Sequence, residues 1–205
     1  MRSFNIQYNE NNSVVFSFGR FNPPTIGHEQ LINIVNQVAS KNLITRSYII
    51  PTGTQNTKKD PLFLHEKINI LNHMVPSDVE VMNMTEFEGR TWFDIMTNFY
   101  KEGVQKVIQV AGSDRIREFQ SLYDRYNGNP DTKGNLLYNF PEGAYEIVSS
   151  GQRDPDSADV EGMSASKLRQ LALQGFEDKF KAGMSDSVPD DLKVKTFRDI
   201  RERLK

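Results

Sequence analysis

The chain has 205 residues, no cysteine, and 25 basic against 27 acidic side chains, which suits one α/β domain whose core needs no covalent staple. The missing thiols exclude disulfides, cysteine-held zinc, iron–sulfur clusters and thiol catalysis, and the balanced charge speaks against a surface that coats nucleic acid or membrane. No apolar run is long enough to span a bilayer, and the polar, Asn-rich start has no apolar leader core, so a cytoplasmic protein is expected.

Short β-like runs then alternate with helical patterns, the signature of parallel βαβ units. SVVFSF (13–18) is an apolar, β-branched run ending at a glycine. From Thr25 a helix is predicted, with Leu31, Ile34, Val35 and Val38 on one face. RSYIIP (46–51) reads as a second strand, and 61–74 as a helix whose stripe is Leu64, Ile68, Leu71 and Met74 or Val75. A weaker strand at 79–84 precedes a helix over 91–103 with glycine just past its end. QKVIQVAG (105–112) is the strongest buried-strand candidate, and SDRIREFQSLYDRY is the helix behind it. Turn residues throughout 127–143 predict a long loop or surface excursion. AYEIVSS (144–150) closes the sheet, and helices follow at 164–174, near 176–182 and at 190–204, the last with Val194, Phe197, Ile200 or Arg201, and Leu204 inward.

The expected architecture is therefore α/β: a Rossmann-like five-stranded parallel sheet with helices on both faces and a small C-terminal helical extension. Residues 1–175 would form the sheet domain and 176–205 the extension packed on it. Such sheets bind ligands at the carboxyl ends of their strands. GRFNPPTIGH follows the first strand, AGSD the fourth, and SGQRDPD and GMSASKLR the fifth. Three loops distant in sequence should thus meet at one edge.

The chemistry of the first loop is that of a phosphate site. Pro23 and Pro24 suit a helix start, and Thr25 suits its N-cap. Gly27 would let a ligand approach the backbone, and His28 lies on the face of Thr25, at a helix end that already favours anions. In the closing loop, Ser164 and Ser166 are candidate caps of a helix, and Arg169, three residues on, carries the planar fork that fits phosphate.

Thr25-Ile26-Gly27-His28 after Gly19-Arg20-Phe21 resembles the first signature of the nucleotidylyltransferase superfamily, in its Thr-x-Gly-His form. Gly19-Arg20-Phe21-Asn22-Pro23 is most similar to nicotinamide mononucleotide adenylyltransferases, whereas the Thr variant is that of phosphopantetheine adenylyltransferases. Met163-Ser164-Ala165-Ser166-Lys167-Leu168-Arg169 resembles the superfamily's Ile-Ser-Ser-Thr-x-x-Arg closing motif, with Ala165 in place of a serine and Ser166 in place of the threonine. The resemblance runs over most of residues 14–172. It implies His28, Thr25 and Arg169 in catalysis, and Phe18, Gly19, Arg20, Phe21, Gly27, Gly112, Asp114, Ser164, Ser166 and Lys59 (or Lys58) around the nucleotide and its phosphates. Lys67 occupies the place of a family arginine, beside the helix stripe where its stem could snorkel. Trp92 and Asp94 lie where that family shapes its acceptor pocket; Trp92 there either stacks on a flat acceptor base or, as its place on the helix favours, is buried, and Arg153 is a further candidate anion partner.

The reaction so implied is nucleotidyl transfer. A phosphate oxygen of the acceptor attacks the α-phosphorus of ATP in line and pyrophosphate leaves. A phosphate monoester is already largely ionised near neutral pH, its second pKa being about 6, so no general base is required and positioning does the work. Mg²⁺ is the expected cofactor, held by triphosphate and water with no direct protein ligand. The expected partners are ATP and a phosphorylated acceptor, with neither nucleic acid nor membrane, and a homo-oligomer is compatible with the sequence. Phosphopantetheine adenylylation, CTP-dependent cytidylyl transfer and a non-catalytic nucleotide sensor are the rival readings. A class I aminoacyl-tRNA synthetase relative fits poorly, since the chain has no room for an anticodon domain and no basic face.

Overall fold

The computed structural model describes residues 12–56, 59–86, 91–151 and 163–205. Five strands, β1 (Ser13–Gly19), β2 (Ser47–Pro51), β3 (Glu80–Val81), β4 (Lys106–Ala111) and β5 (Tyr145–Ser149), form one sheet in the order β3-β2-β1-β4-β5. Every pairing is parallel. The helices between and after them are α1 (Ile26–Lys41), α2 (Leu64–Asn72), α3 (Trp92–Lys101), α4 (Ile116–Tyr126), α5 (Ala165–Gln174), α6 (Glu177–Ala182) and α7 (Asp190–Leu204). The weak strand expected at 79–84 shrinks to two residues and gives way to a 3-10 turn at 84–86.

Alternation along the strands sorts the core into two layers. Val15, Ile49, Ile108 and Val110 pack with residues of α1, α2, α5, α6 and α7 on one face. Val14, Phe16, Ile50 and Val107 pack with α3, α4 and the 138–144 segment on the other. The central strand is therefore apolar on both faces, as a parallel sheet between helices requires. Chain order reverses between β1 and β4, and this is the switch point at which open α/β sheets leave a crevice.

The helix periods read from sequence hold, but their phases differ. On α1 the buried residues are His28, Leu31, Ile32, Val35 and Ala39, with Ile34 and Val38 only partly covered. On α2 they are Lys67, Ile70 and Leu71, while Leu64 and Ile68 are half-buried. On α7, Phe197 and Ile200 face inward as expected, but beside Lys193 and Thr196 rather than Val194. Segment 127–143 has little regular structure yet is no mere surface excursion. Tyr138 and Phe140 are buried, and Asn127 clamps the Phe140 backbone through both amide atoms at 2.7 and 2.9 Å.

The C-terminal helices share the sheet's core: Phe180, Met184, Val188, Phe197 and Ile200 belong to the same apolar cluster as Val15 and Ile49. Among the described residues, no helix is long and apolar enough to cross a membrane. A polar tether locks α7 to the start of α2. Arg203 grips both carboxylate oxygens of Glu66 at 2.5 and 2.8 Å, donates to the Pro61 carbonyl at 3.0 Å, and lies 4.5 Å over the Phe63 ring. Burial raises the Glu66 pKa, but the Arg203 fork, the Phe63 amide and Lys195 outweigh it and hold the group down from 4.5 to about 2. A carboxylate depressed on folding contributes stability above its unfolded pKa and loses it as pH falls through the folded one. Stability is therefore expected to decline from about pH 4.5 toward about pH 2, and Glu66→Gln to flatten that limb when urea midpoints are followed across it.

Candidate active site

The carboxyl ends of β1 and β4 open into a cleft of about 930 Å³, including its mouth, lined by Ser17, Phe18, Gly19, Arg20, Phe21, Asn22, His28, Leu31, Asp60, Ala111, Gly112, Asp114, Arg115, Phe119, Ser164, Ala165, Ser166 and Arg169. Three loops distant in sequence meet there, at residues 17–22, 111–115 and 164–169. A fourth, carrying Asp60, joins them.

His28 is set by its own helix start. Nδ1 accepts the Thr25 backbone N–H at 2.9 Å and lies 2.9 Å from Thr25 Oγ1. A ring nitrogen that accepts from an amide carries no proton, so the neutral imidazole bears its hydrogen on Nε2. The Phe21 ring lies 4.8 Å from the imidazole and fixes its tilt. Phe21 itself has a left-handed backbone, φ 46°, which turns the ring back over Gly19: a Cβ on that glycine would stand 3.1 Å from it. The Gly-x-Phe turn is thus a packing unit that seats the histidine.

The rest of the first loop is held by distant side chains, since a loop at a sheet edge has no ladder to satisfy it. Asn22 pairs with Leu62 through both amide atoms, at 3.0 and 3.2 Å. Arg169 donates to the Asn22 carbonyl at 2.6 Å and to Ser166 Oγ at 2.9 Å. Burial lowers the Arg169 pKa, Asp60 opposes that shift and Arg20 adds to it, so the three charges share one region. Ser164 caps α5 by accepting the Lys167 amide at 3.2 Å.

Several sequence-predicted positions fall outside the cleft. Thr25 is wholly buried and serves the turn. The start of α1 offers fewer amides than expected, because Thr25 N–H goes to His28 and Ile26 N–H to the Gly183 carbonyl at 3.0 Å. Gly27 lies on the other side of the helix, in a shallow surface depression with Ile26, Glu29, Gln30 and Asn33. Lys59 is exposed on the turn before Asp60 and outside the cleft.

Lys67 neither snorkels nor reaches the cleft. It is fully buried, and its ammonium donates to the carbonyls of Arg20 (3.2 Å) and Thr52. Burial pulls its pKa down from 10.5 to about 8, with Asp60 acting against the shift. Trp92 is buried too, donating from Nε1 to Gln109 Oε1 at 2.8 Å and packing edge-on against Tyr138 and Tyr145. Asp94 closes the N-terminus of α3 by accepting the Thr91 amide and hydroxyl at 2.7 and 2.6 Å. Trp92 belongs to the aromatic layer beneath the cleft and contacts Phe119, which lines it. Arg153 lies outside the described residues. Gly112 also has a local reason to be glycine, since a Cβ there would stand 2.7 Å from Asp114 Oδ1.

Sequence reasoning missed Asn22, Asp60 and Arg115 as cleft residues. Asn22 sat inside the quoted first motif, and Arg115 directly follows AGSD. Asp60 was overlooked beside the lysines that precede it.

By sequence, no family model and no curated protein matches the chain. Solved structures do match in shape. The nicotinic acid mononucleotide adenylyltransferase of Plasmodium falciparum, complexed with NaAD, aligns at a TM-score of 0.58 with 15% identity over 90% of this chain and 93% of that one. Its complex with APC aligns at 0.57 with 14% identity. TmcAL of Thermotoga maritima aligns at 0.53 with 12% identity, over 93% of this chain but 57% of the longer partner. The chain shares a Rossmann-like α/β fold with these proteins. At these identities the likeness carries the arrangement of strands and helices and no more.

Replacing Lys67 by methionine leaves the Arg20 and Thr52 carbonyls without this donor in a buried place. Unfolding free energy is expected to fall by about 2 to 3 kcal/mol, read as a lower urea midpoint at constant slope. An unchanged midpoint would mean that the carbonyls find other donors.

Proposed function

We propose that this chain is a nucleotidyltransferase that moves an adenylyl group from ATP to a phosphate monoester, nicotinamide mononucleotide before other acceptors, and releases pyrophosphate. The observation that carries the reading is the cleft at the β1/β4 switch point, where an Nε2–H imidazole, Arg20, Arg169 and the Ser164–Ser166 helix start converge. These groups are donors and cations. The acids of the cleft lining are Asp60 and Asp114.

Such a donor set suits phosphoryl chemistry, in which charge on the equatorial oxygens is stabilised by groups already in place. His28 Nε2–H donates to an oxygen on the α-phosphorus. Arg169, with Ser166, holds the phosphates that leave as pyrophosphate. The acceptor's own ionised phosphate is the nucleophile, so no residue need remove a proton. Mg²⁺ supplies screening of the triphosphate charge; among the described residues no group of three or more His, Asp or Glu could cage the ion.

The Gly-Arg-Phe-Asn-Pro turn favours the pyridine-nucleotide acceptor, and the shared fold is compatible with it. The test is pyrophosphate release from ATP and Mg²⁺ with nicotinamide mononucleotide, nicotinic acid mononucleotide and phosphopantetheine in parallel, and with CTP as alternative donor. NAD formation with the first acceptor is the expected result. Release with another acceptor alone would keep the mechanism and change the substrate. ATP binding without release from any acceptor would favour the sensor.

Two variants probe the roles. His28→Asn retains an acceptor for the Thr25 amide and loses the Nε2 donor, so kcat should fall about a hundredfold or more with little loss of stability. His28→Ala should lose both catalysis and the turn. Arg169→Ala should chiefly raise the KM for ATP; an unchanged KM would contradict the role given to it.

A further inference from the structure

Asp60 lines the cleft, and nucleotidyl transfer as drawn above leaves it unused. Its backbone is fixed by a reciprocal pair of hydrogen bonds with Asn56, at 2.8 and 3.0 Å. The residue is 5% exposed and lines the cleft, yet among the described residues its Oδ1 is buried with no hydrogen-bond partner. A buried carboxylate oxygen without a partner is costly. The nearby cations do not bond to it: the Lys67 ammonium is committed to the Arg20 and Thr52 carbonyls, and the Arg169 guanidinium to Asn22 and Ser166.

A carboxylate standing among Arg20, Asn22 and Arg169 would repel the triphosphate that those residues suit, unless something positive came between them. Mg²⁺ has the matching chemistry. It is a hard cation that is commonly held by one or two carboxylates together with substrate phosphates and water, rather than by an all-protein cage. One carboxylate oxygen, buried, fixed and lacking a partner beside a phosphate site, is such a half-built ligand set. We propose that Asp60 is this chain's own ligand for the Mg²⁺ that arrives with the nucleotide, engaging the ion through its carboxylate, directly or through a water the ion carries, once the side chain turns Oδ1 toward the cleft. The proposal rests on the nucleotidyl-transfer reading and departs from the expectation that triphosphate and water alone hold the metal.

The test is calorimetric binding of α,β-methylene-ATP, with and without Mg²⁺, to the unaltered chain, Asp60→Asn and Asp60→Glu. Thermal unfolding checks each fold. Mg²⁺ should tighten binding to the unaltered chain by about tenfold or more. Asp60→Asn should lose most of that gain while binding the metal-free analogue as well as before or better, because a negative charge has gone. Asp60→Glu, which keeps a carboxylate, should recover part of the gain. The paramagnetic signal of Mn²⁺ added with the analogue should follow the same order. An equal Mg²⁺ gain in the unaltered chain and Asp60→Asn would overturn the metal role. So would weaker binding in Asp60→Asn regardless of metal, which would make Asp60 a residue that only orders its neighbours. If the unaltered chain binds no nucleotide at all, the nucleotidyl-transfer reading itself falls, and this proposal with it.

Discussion

The site depends on how one loop without regular hydrogen bonding is held at the end of a sheet. Residues 20–25 lie beyond the ladder of β1, so their buried carbonyls and amides need partners from elsewhere. Lys67 reaches up from α2 to the Arg20 carbonyl, Arg169 from α5 to the Asn22 carbonyl, and Asn22 pairs across to Leu62. Gly183, just past α6, takes the first amide of α1. Each contact joins this loop to an element that is remote in sequence. The histidine is presented rigidly because its loop has few unmet polar groups and hence few reasons to move.

The same contacts explain why the C-terminal helices are more than an appendage. Gly183 sits so close to Leu168 and Met163 that a Cβ would come within 2.6 Å of both. The turn after α6 is thereby wedged between the start of α1 and the α5 region that carries Arg169. At the other end, Arg203 of α7 holds Glu66 and the Pro61 carbonyl, immediately after Asp60 and beside the Leu62 backbone that pairs with Asn22. The C-terminal segment thus braces the first loop from two sides.

This bracing also marks where the sequence was legible and where it was not. The parallel sheet and the meeting of loops can be read because apolar runs, turn residues and the right-handed crossover rule act locally or globally without detail. The phase of the helices cannot. On α1 apolar residues stand on adjacent rows, Leu31, Ile32 and Val35 buried beside partly covered Ile34 and Val38, so the period is visible but the inward face is ambiguous. On α2 the centre of the buried face is a lysine, which apolar counting passes over, because its partners are carbonyls in other loops. His28, Ser164 and Arg169 were found through spacing within motifs. For Trp92 the sequence favours burial over stacking on an acceptor, and its bond to Gln109 goes with burial, while Asp94 closes the Thr91 cap.

Charge completes the picture of what the cleft can take. The chain as a whole is nearly neutral, with a formal charge of −2, so the field felt by a ligand is set by the groups at the switch point. Arg20, Arg115 and Arg169 gather there with Asp60 and Asp114. Arg115 is partly spent on Glu118 at 2.7 Å, and Arg169 on the loop it holds. Three arginines balanced by two carboxylates leave a modest positive field, weaker than a bare triphosphate would need for neutralisation. An anion of that size would have to bring positive charge with it, and a cleft that keeps one buried carboxylate oxygen without a partner is built to receive it.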